Sequence, residues 1–172
     1  MAIRTIITEP NKLLRQISKP VNSVGKEEQK LMDDMLETMY DVNGIGLAAI
    51  QVGVPKRIIV MDISKDESKK EPRYFVNPVI KNKDPEKATY EEGCLSVPNQ
   101  FAEIDRASKC EVEYLDYNGE KKLIKADGLL ATCIQHEMDH LEGILFIDYL
   151  SKLKRSMIIK KLSKKKSTAA VL

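Results

Sequence analysis

The order of apolar and polar positions divides the chain into a helical start, a run of strands and a helical end. Residues 1–21 are broken by Glu9-Pro10 and Lys19-Pro20-Val21 and read as a wrapped arm with a short helical turn over 11–17. Lys26 to Val42 places Leu31, Met32, Met35, Leu36, Met39 and Tyr40 at the spacing of one helix face, with acidic residues opposite. Asn43-Gly44 stops that helix. Leu47 to Val52 reads as a short buried strand. Arg57 to Met61, Tyr74 to Ile80, Phe101 to Ala107, Cys110 to Tyr117 and Lys121 to Ala126 read as further strands. Asn77-Pro78 interrupts one of them and marks an edge or a bulge, and Asn118-Gly119 is a hairpin turn. Asp62 to Pro72 and Lys81 to Lys87 are charged connections.

A second helix runs from Gly128 to Leu141, capped by Asp127 and ended by Gly143. Leu129, Cys133, His136 and His140 share one of its faces; Leu130, Ile134, Met138 and Leu141 line another. A helix apolar on most sides is buried, so both histidines belong inside the domain, at the floor of a cleft. Ser151 to Leu162 makes a basic, partly apolar helix. The spacing predicts an α+β fold: antiparallel sheets packed around the central histidine-bearing helix, with a long N-terminal helix and a C-terminal helix outside. One domain should cover residues 1–163, and residues 164–172 form a flexible basic tail.

Composition narrows the classes without choosing one. A hydrophobic fraction of 42% with 31% charged residues fits a soluble globular chain. The net charge of +2 is too small to argue for nucleic acid over the whole chain. No apolar run approaches a membrane span, and no signal or transit pattern opens the chain. The cysteine count of 3 is odd, which argues against a disulfide framework and for a reducing compartment. The expectation is a cytoplasmic protein with no membrane partner. Only the C-terminal basic cluster suggests an RNA or ribosome contact, and its plainer reading is a solvated face.

The chemistry sits where the histidines are. The chain has 2 of them, four residues apart in Gln135-His136-Glu137-Met138-Asp139-His140-Leu141. On a helix that spacing is about 6 Å along the axis and one face, so two imidazoles can grip one metal ion. His-Glu-x-x-His is a metallohydrolase signature with the glutamate as general base. No histidine follows His140, and the nearby downstream carboxylates are Glu142 and Asp148. The third ligand therefore belongs upstream, and a cysteine is the natural candidate. Glu92-Gly93-Cys94-Leu95-Ser96 holds one on a tight backbone, whereas Cys110 reads as core. Gly44 and Gly46 allow something to approach the backbone closely, but the lysine and spacing of a phosphate loop are missing. Gln51 is polar within an apolar run; by itself it reads as a satisfied structural amide.

Together, Gly44-Ile-Gly46-Leu-Ala-Ala-Ile-Gln51, Glu92-Gly93-Cys94-Leu95-Ser96 and Gln135-His136-Glu137-x-Asp139-His140-Leu141 resemble the three motifs of the peptide deformylase family. They stand in that family's order with no departure at the functional positions, and the resemblance runs from about residue 3 to about residue 160. It implies that Cys94, His136 and His140 bind the metal and leave a fourth position open, as a catalytic site needs. Glu137 would be the base, and the Gln51 amide with the Leu95 N–H would form the oxyanion hole. The Gly46 backbone would align substrate. Helix geometry adds Leu129 and Cys133 to a pocket for the first side chain, with Ile45 and Tyr90 from the other motifs; Gly93 is expected to bind substrate, and Glu92 is either a contact or a support. By donor type the site suits zinc. The resemblance implies Fe2+ in the cell, one per chain, replaceable by zinc, nickel or cobalt. The implied reaction removes formyl from N-formylmethionyl nascent polypeptides, with the ribosome as a partner for the basic C-terminal helix. Two other readings stand beside it: a different metallohydrolase, which would cleave unformylated peptides, and a binding protein with a closed structural metal site.

Overall fold

The structure, a computed structural model, describes residues 1–66 and 68–169. Helix α1 spans Lys26–Asp41. Seven strands follow: β1 Gly46–Ala48, β2 Ile58–Met61, β3 Arg73–Lys83, β4 Lys87–Cys94, β5 Val97–Ala107, β6 Lys109–Leu115 and β7 Lys121–Asp127. Helix α2 is Gly128–Leu141 and helix α3 is Lys152–Ala169. Strands β1, β2, β3, β6 and β7 form one antiparallel sheet in that order, and β4 pairs with β5 in a separate hairpin sheet.

The short strand β2 shows how the layers are held. Its four apolar residues are all buried. Ile58 and Val60 pack with Met32, Met35 and Met39 of α1, while Ile59 and Met61 pack with Ala131, Cys133 and Ile134 of α2. A strand covered on both faces reads as a continuous apolar run, because alternation would leave polar groups in one of the cores. Each fully buried methionine of α1 contributes roughly 1.5–3 kcal/mol, enough to seat a helix whose other face is acidic. A third cluster, with Val97, Ile104, Phe146, Ile147 and Leu162, fastens α3 to the β4–β5 hairpin.

The structure refines the sequence reading at four points. The strand expected over Leu47–Val52 ends at Ala48, and Ala49–Val52 closes into a 3-10 turn. The Gln51 Oε1 accepts the Ala48 N–H at 2.9 Å, a local bond that replaces the sheet ladder there. Asn77 makes a bulge inside the sheet, not an edge: β3 lies between β2 and β6. Asn77 has φ +50°, and its amide exchanges two hydrogen bonds with the backbone of Val21, pinning the N-terminal arm. Asp127 occupies the N-cap of α2, but its side chain makes no capping bond. Helix α3 also runs on to Ala169, past the expected end at Leu162. Of the basic tail expected over residues 164–172, residues 170–172 lie outside the described residues. No helix among the described residues is long and apolar enough to cross a membrane.

The arm is fastened at both ends. Asp34 of α1 is buried and accepts from the Ala2 N–H, Lys30 and Arg4 at 2.8 to 3.2 Å. The Lys30 ammonium leads the interactions that hold its carboxyl down at about 2. A carboxylate whose pKa is lowered by folding stabilises the fold above its unfolded value of about 4, and that contribution fades as pH falls through its folded value. Asp34→Ala should therefore cost about 2 kcal/mol at neutral pH, or roughly 4–8 °C in Tm. Urea melts of parent and variant should converge below about pH 2; a gap unchanged between pH 4 and 2 would contradict the pairing.

Candidate active site

Two elements bring the donors together. Cys94 ends β4, at a bulge in the hairpin register, and His136 and His140 lie on α2. Their ligand atoms all lie within 4.8 Å of one another. The Cys94 Sγ stands 3.3 Å from the His140 Nε2. The His136 Nδ1 is 2.7 Å from the Glu92 Oε2, so its Nε2 is the nitrogen turned to the cluster. Glu92 is itself gripped by Arg106, whose Nε and Nη2 donate to its two oxygens at 2.5 and 3.0 Å.

Burial sets the electrostatics. It pushes the Glu137 carboxyl, against the pull of His136, up to about 7. Burial alone would lower the His136 imidazole, but its contacts with Cys94 and Glu92 raise it well above the usual histidine value. His140 is pushed down by burial and by neighbouring positive charge. The Glu137 Oε2 is buried without a hydrogen-bond partner among the described residues. An unpaired carboxylate oxygen is costly inside a protein and marks a group held ready for something that enters the site.

Gln51, almost fully buried, is fixed at both ends of its amide. The Oε1 is committed to Ala48, and the Nε2 donates to the Ser96 Oγ at 3.0 Å and faces the Cys94 Sγ at 3.6 Å. The N-terminal arm, which carried no assignment from sequence, braces this corner: the Ile7 N–H donates to the Gln51 carbonyl and the Glu9 N–H to the Ser96 carbonyl, each at 2.8 Å.

Above the donors opens a cleft of about 670 Å³. Ile45, Gly46, Tyr90, Glu92, Gly93, Leu129 and Cys133 all line it, as do Gln51, Cys94, Leu95, His136 and Glu137. His140 lies beneath the floor, 1% exposed. Of the two readings open for Glu92, a contact or a support, the geometry favours the support: its carboxylate is turned to Arg106 and His136. Thr132 and Phe101 line the cleft without having been singled out by sequence, although Thr132 sits beside the histidine face of α2. Arg106 was also missed. Its signal was its spacing: Arg106 follows Ile104 by two residues and so shares its face of β5, which the structure shows to be the buried one.

Gly46 has no room for a side chain. A Cβ there would lie 2.5 Å from the Glu137 Oε1 and 3.0 Å from the Cys133 Sγ. Gly46→Ala should displace the Glu137 carboxylate and lower turnover at least about 100-fold, with metal content and far-UV circular dichroism unchanged. Full activity in the folded variant would show that the carboxylate has slack.

The fold is α+β, with antiparallel sheets and three helices, and a Cys/His/His donor set at the floor of its cleft has the composition of a metal site. The polypeptide deformylase family model matches residues 3–156. The peptide deformylase of Pelagibacter ubique is 77% identical over all 172 residues, covering 100% of both chains. A crystal structure of the peptide deformylase of Ehrlichia chaffeensis superimposes with a TM-score of 0.93 at 45% identity, covering 98% of this chain and 99% of that one. A class I type b peptide deformylase of Acinetobacter baumannii with Met-Ala-Ser bound gives a TM-score of 0.81 at 33% identity, covering 86% and 98%. The chain belongs to the peptide deformylase family, whose members remove the N-terminal formyl group from nascent polypeptides.

Proposed function

We propose that Cys94, His136 and His140 hold one divalent metal and that the cleft above them deformylates N-formylmethionyl polypeptides. The observation that carries this reading is the convergence of one thiol and two imidazoles beside the unpaired Glu137 oxygen. The donor set fits a metal of borderline softness, and Fe2+ is the ion proposed in the cell, with zinc, nickel or cobalt able to replace it. When bound, the ion supplies Lewis acidity, which acidifies water and polarises the formyl oxygen.

The chain's own groups do the rest. Glu137 takes a proton from the attacking water, whose oxygen bonds to the formyl carbon. The negative charge that develops on the formyl oxygen meets the Gln51 side-chain N–H and the Leu95 main-chain N–H. Each such donor is worth about 3 kcal/mol. Gln51 can act without reorganising, because Ser96 and Ala48 already fix its amide. Glu137 then passes the proton to the amide nitrogen, the C–N bond breaks, and formate and a free N-terminal amine leave. The Gly46 backbone lies alongside the substrate chain. Ile45, Tyr90, Leu129 and Cys133 form the apolar pocket for the first side chain, which suits the long, unbranched methionine. Gly93 supports Cys94, with the Phe101 ring packed against its Cα position.

Residues 1–163 act as the catalytic unit in this reading, and the site of action is the cytoplasm. Lys152, Lys154, Lys160 and Lys161 are exposed on α3 and give the ribosome's RNA a basic surface to meet.

Substrate comparison tests the reading. Formyl-Met-Ala-Ser should be hydrolysed far faster than acetyl-Met-Ala-Ser or formyl-Asp-Ala-Ser, and Met-Ala-Ser should stay intact. Cleavage of the Met–Ala bond would indicate a peptidase instead.

A further inference from the structure

We propose that Arg106, Asp139 and Tyr149 form a positioning chain that fixes Glu92, and through it the His136 ring, and so sets how firmly the donor cluster keeps its metal. The inference rests on the metal reading above and extends it to residues that touch neither metal nor substrate.

The chain joins four elements. Glu92 comes from β4, Arg106 from β5, Asp139 from α2, and Tyr149 from the 3-10 turn Phe146–Tyr149 that precedes α3. The Arg106 side chain is 4% exposed. It donates twice to Glu92 and, through Nη1, to the Asp139 Oδ2 at 2.8 Å. The Tyr149 hydroxyl donates to the same Asp139 oxygen at 2.8 Å, and the Arg106 guanidinium carbon lies 5.1 Å from the centre of the Tyr149 ring. The next link is the Glu92 contact with the His136 Nδ1 at 2.7 Å.

Burying an arginine between two carboxylates is a poor route to stability, since desolvation consumes most of the attraction. Its geometric effect is larger. A planar guanidinium held by two carboxylates and an aromatic face has one orientation, and it passes that orientation to Glu92. Glu92 in turn fixes which imidazole nitrogen of His136 points at the cluster, and at what angle. Partners of this kind change metal affinity about 10- to 100-fold in other sites. A lysine would keep the charge and lose the fork, so Arg106→Lys should fail to restore the parent behaviour.

The test uses the full chain loaded with cobalt(II), read by its visible absorption bands and by the rate of release to a chelator. Arg106→Lys and Arg106→Met should release cobalt about 10- to 100-fold faster than the parent, with shifted bands. Tyr149→Phe, which removes one hydrogen bond at a half-exposed position, should release it roughly 3- to 10-fold faster. Asp34→Ala serves as the control: it loses stability far from the site and should release cobalt at the parent rate. Release within about twofold of the parent in the Arg106 variants, with only Tm lowered, would overturn the proposal. If the Arg106 variants do not fold, a parent-like rate in Tyr149→Phe overturns it. A parent that takes up no cobalt overturns the metal reading and this inference with it.

Discussion

Replacing Glu137 by alanine should leave one metal per chain in place and lower turnover about 10⁴-fold. The two halves of that expectation have separate causes. The metal should stay because the proposed donors, Cys94, His136 and His140, form a three-ligand set without the carboxylate. Turnover falls because one group serves twice, first removing a proton from water and then supplying it to the leaving nitrogen. Among the described residues, two neighbouring carboxylates are already committed: Glu92 is held by Arg106 and His136, and Asp139 by Arg106 and Tyr149. Steady-state formate release on samples of known metal content measures both halves. Near-parental turnover in the metal-loaded variant would remove Glu137 from its role, and loss of metal would make it a ligand.

Cys94→Ala should have the second large effect, at an earlier stage. In the proposed site Cys94 supplies the sulfur donor, and the two histidines alone would give a weak site. Structural zinc sites with four ligands are worth about 10–16 kcal/mol, so removing one ligand should cost at least about 3 kcal/mol, or more than 100-fold in affinity. The fold should survive, because Cys94 is only partly buried at the end of a hairpin strand and lies at the edge of its apolar cluster. Competition against a chromophoric chelator reads the affinity. Cys110→Ala and Cys133→Ala should both keep it: Cys110 is buried in the core, and the Cys133 thiol faces the Ile45 carbonyl. Parent-like affinity in Cys94→Ala would place the third ligand elsewhere.

Three short stretches of the sequence name the residues that the structure brings to the cleft. His136, Glu137 and His140 follow from helix periodicity, and the glycines beside Cys94 and Gln51 mark tight backbone. Neighbouring elements were readable too: the methionine stripe of α1 keeps one helical period, and β2 is an unbroken apolar run. What was not legible depends on contacts between distant segments. Glu92 could be flagged but not assigned, since its role needs Arg106, 14 residues away, and His136, 44 residues away. The turn over Ala49–Val52 reads as strand until the Gln51 side chain is seen to take the Ala48 N–H. The bracing of Gln51 and Ser96 by the N-terminal arm had no sequence signal, because it runs through backbone groups that every residue carries.

The measurement that bears most directly on the site is formate release from formyl-Met-Ala-Ser by protein purified without oxygen, with metal content quantified on the same sample. Activity proportional to bound metal, abolished by a chelator and restored by Fe2+, is the expected result. A sample holding one metal per chain at Cys94, His136 and His140 that releases no formate would contradict it.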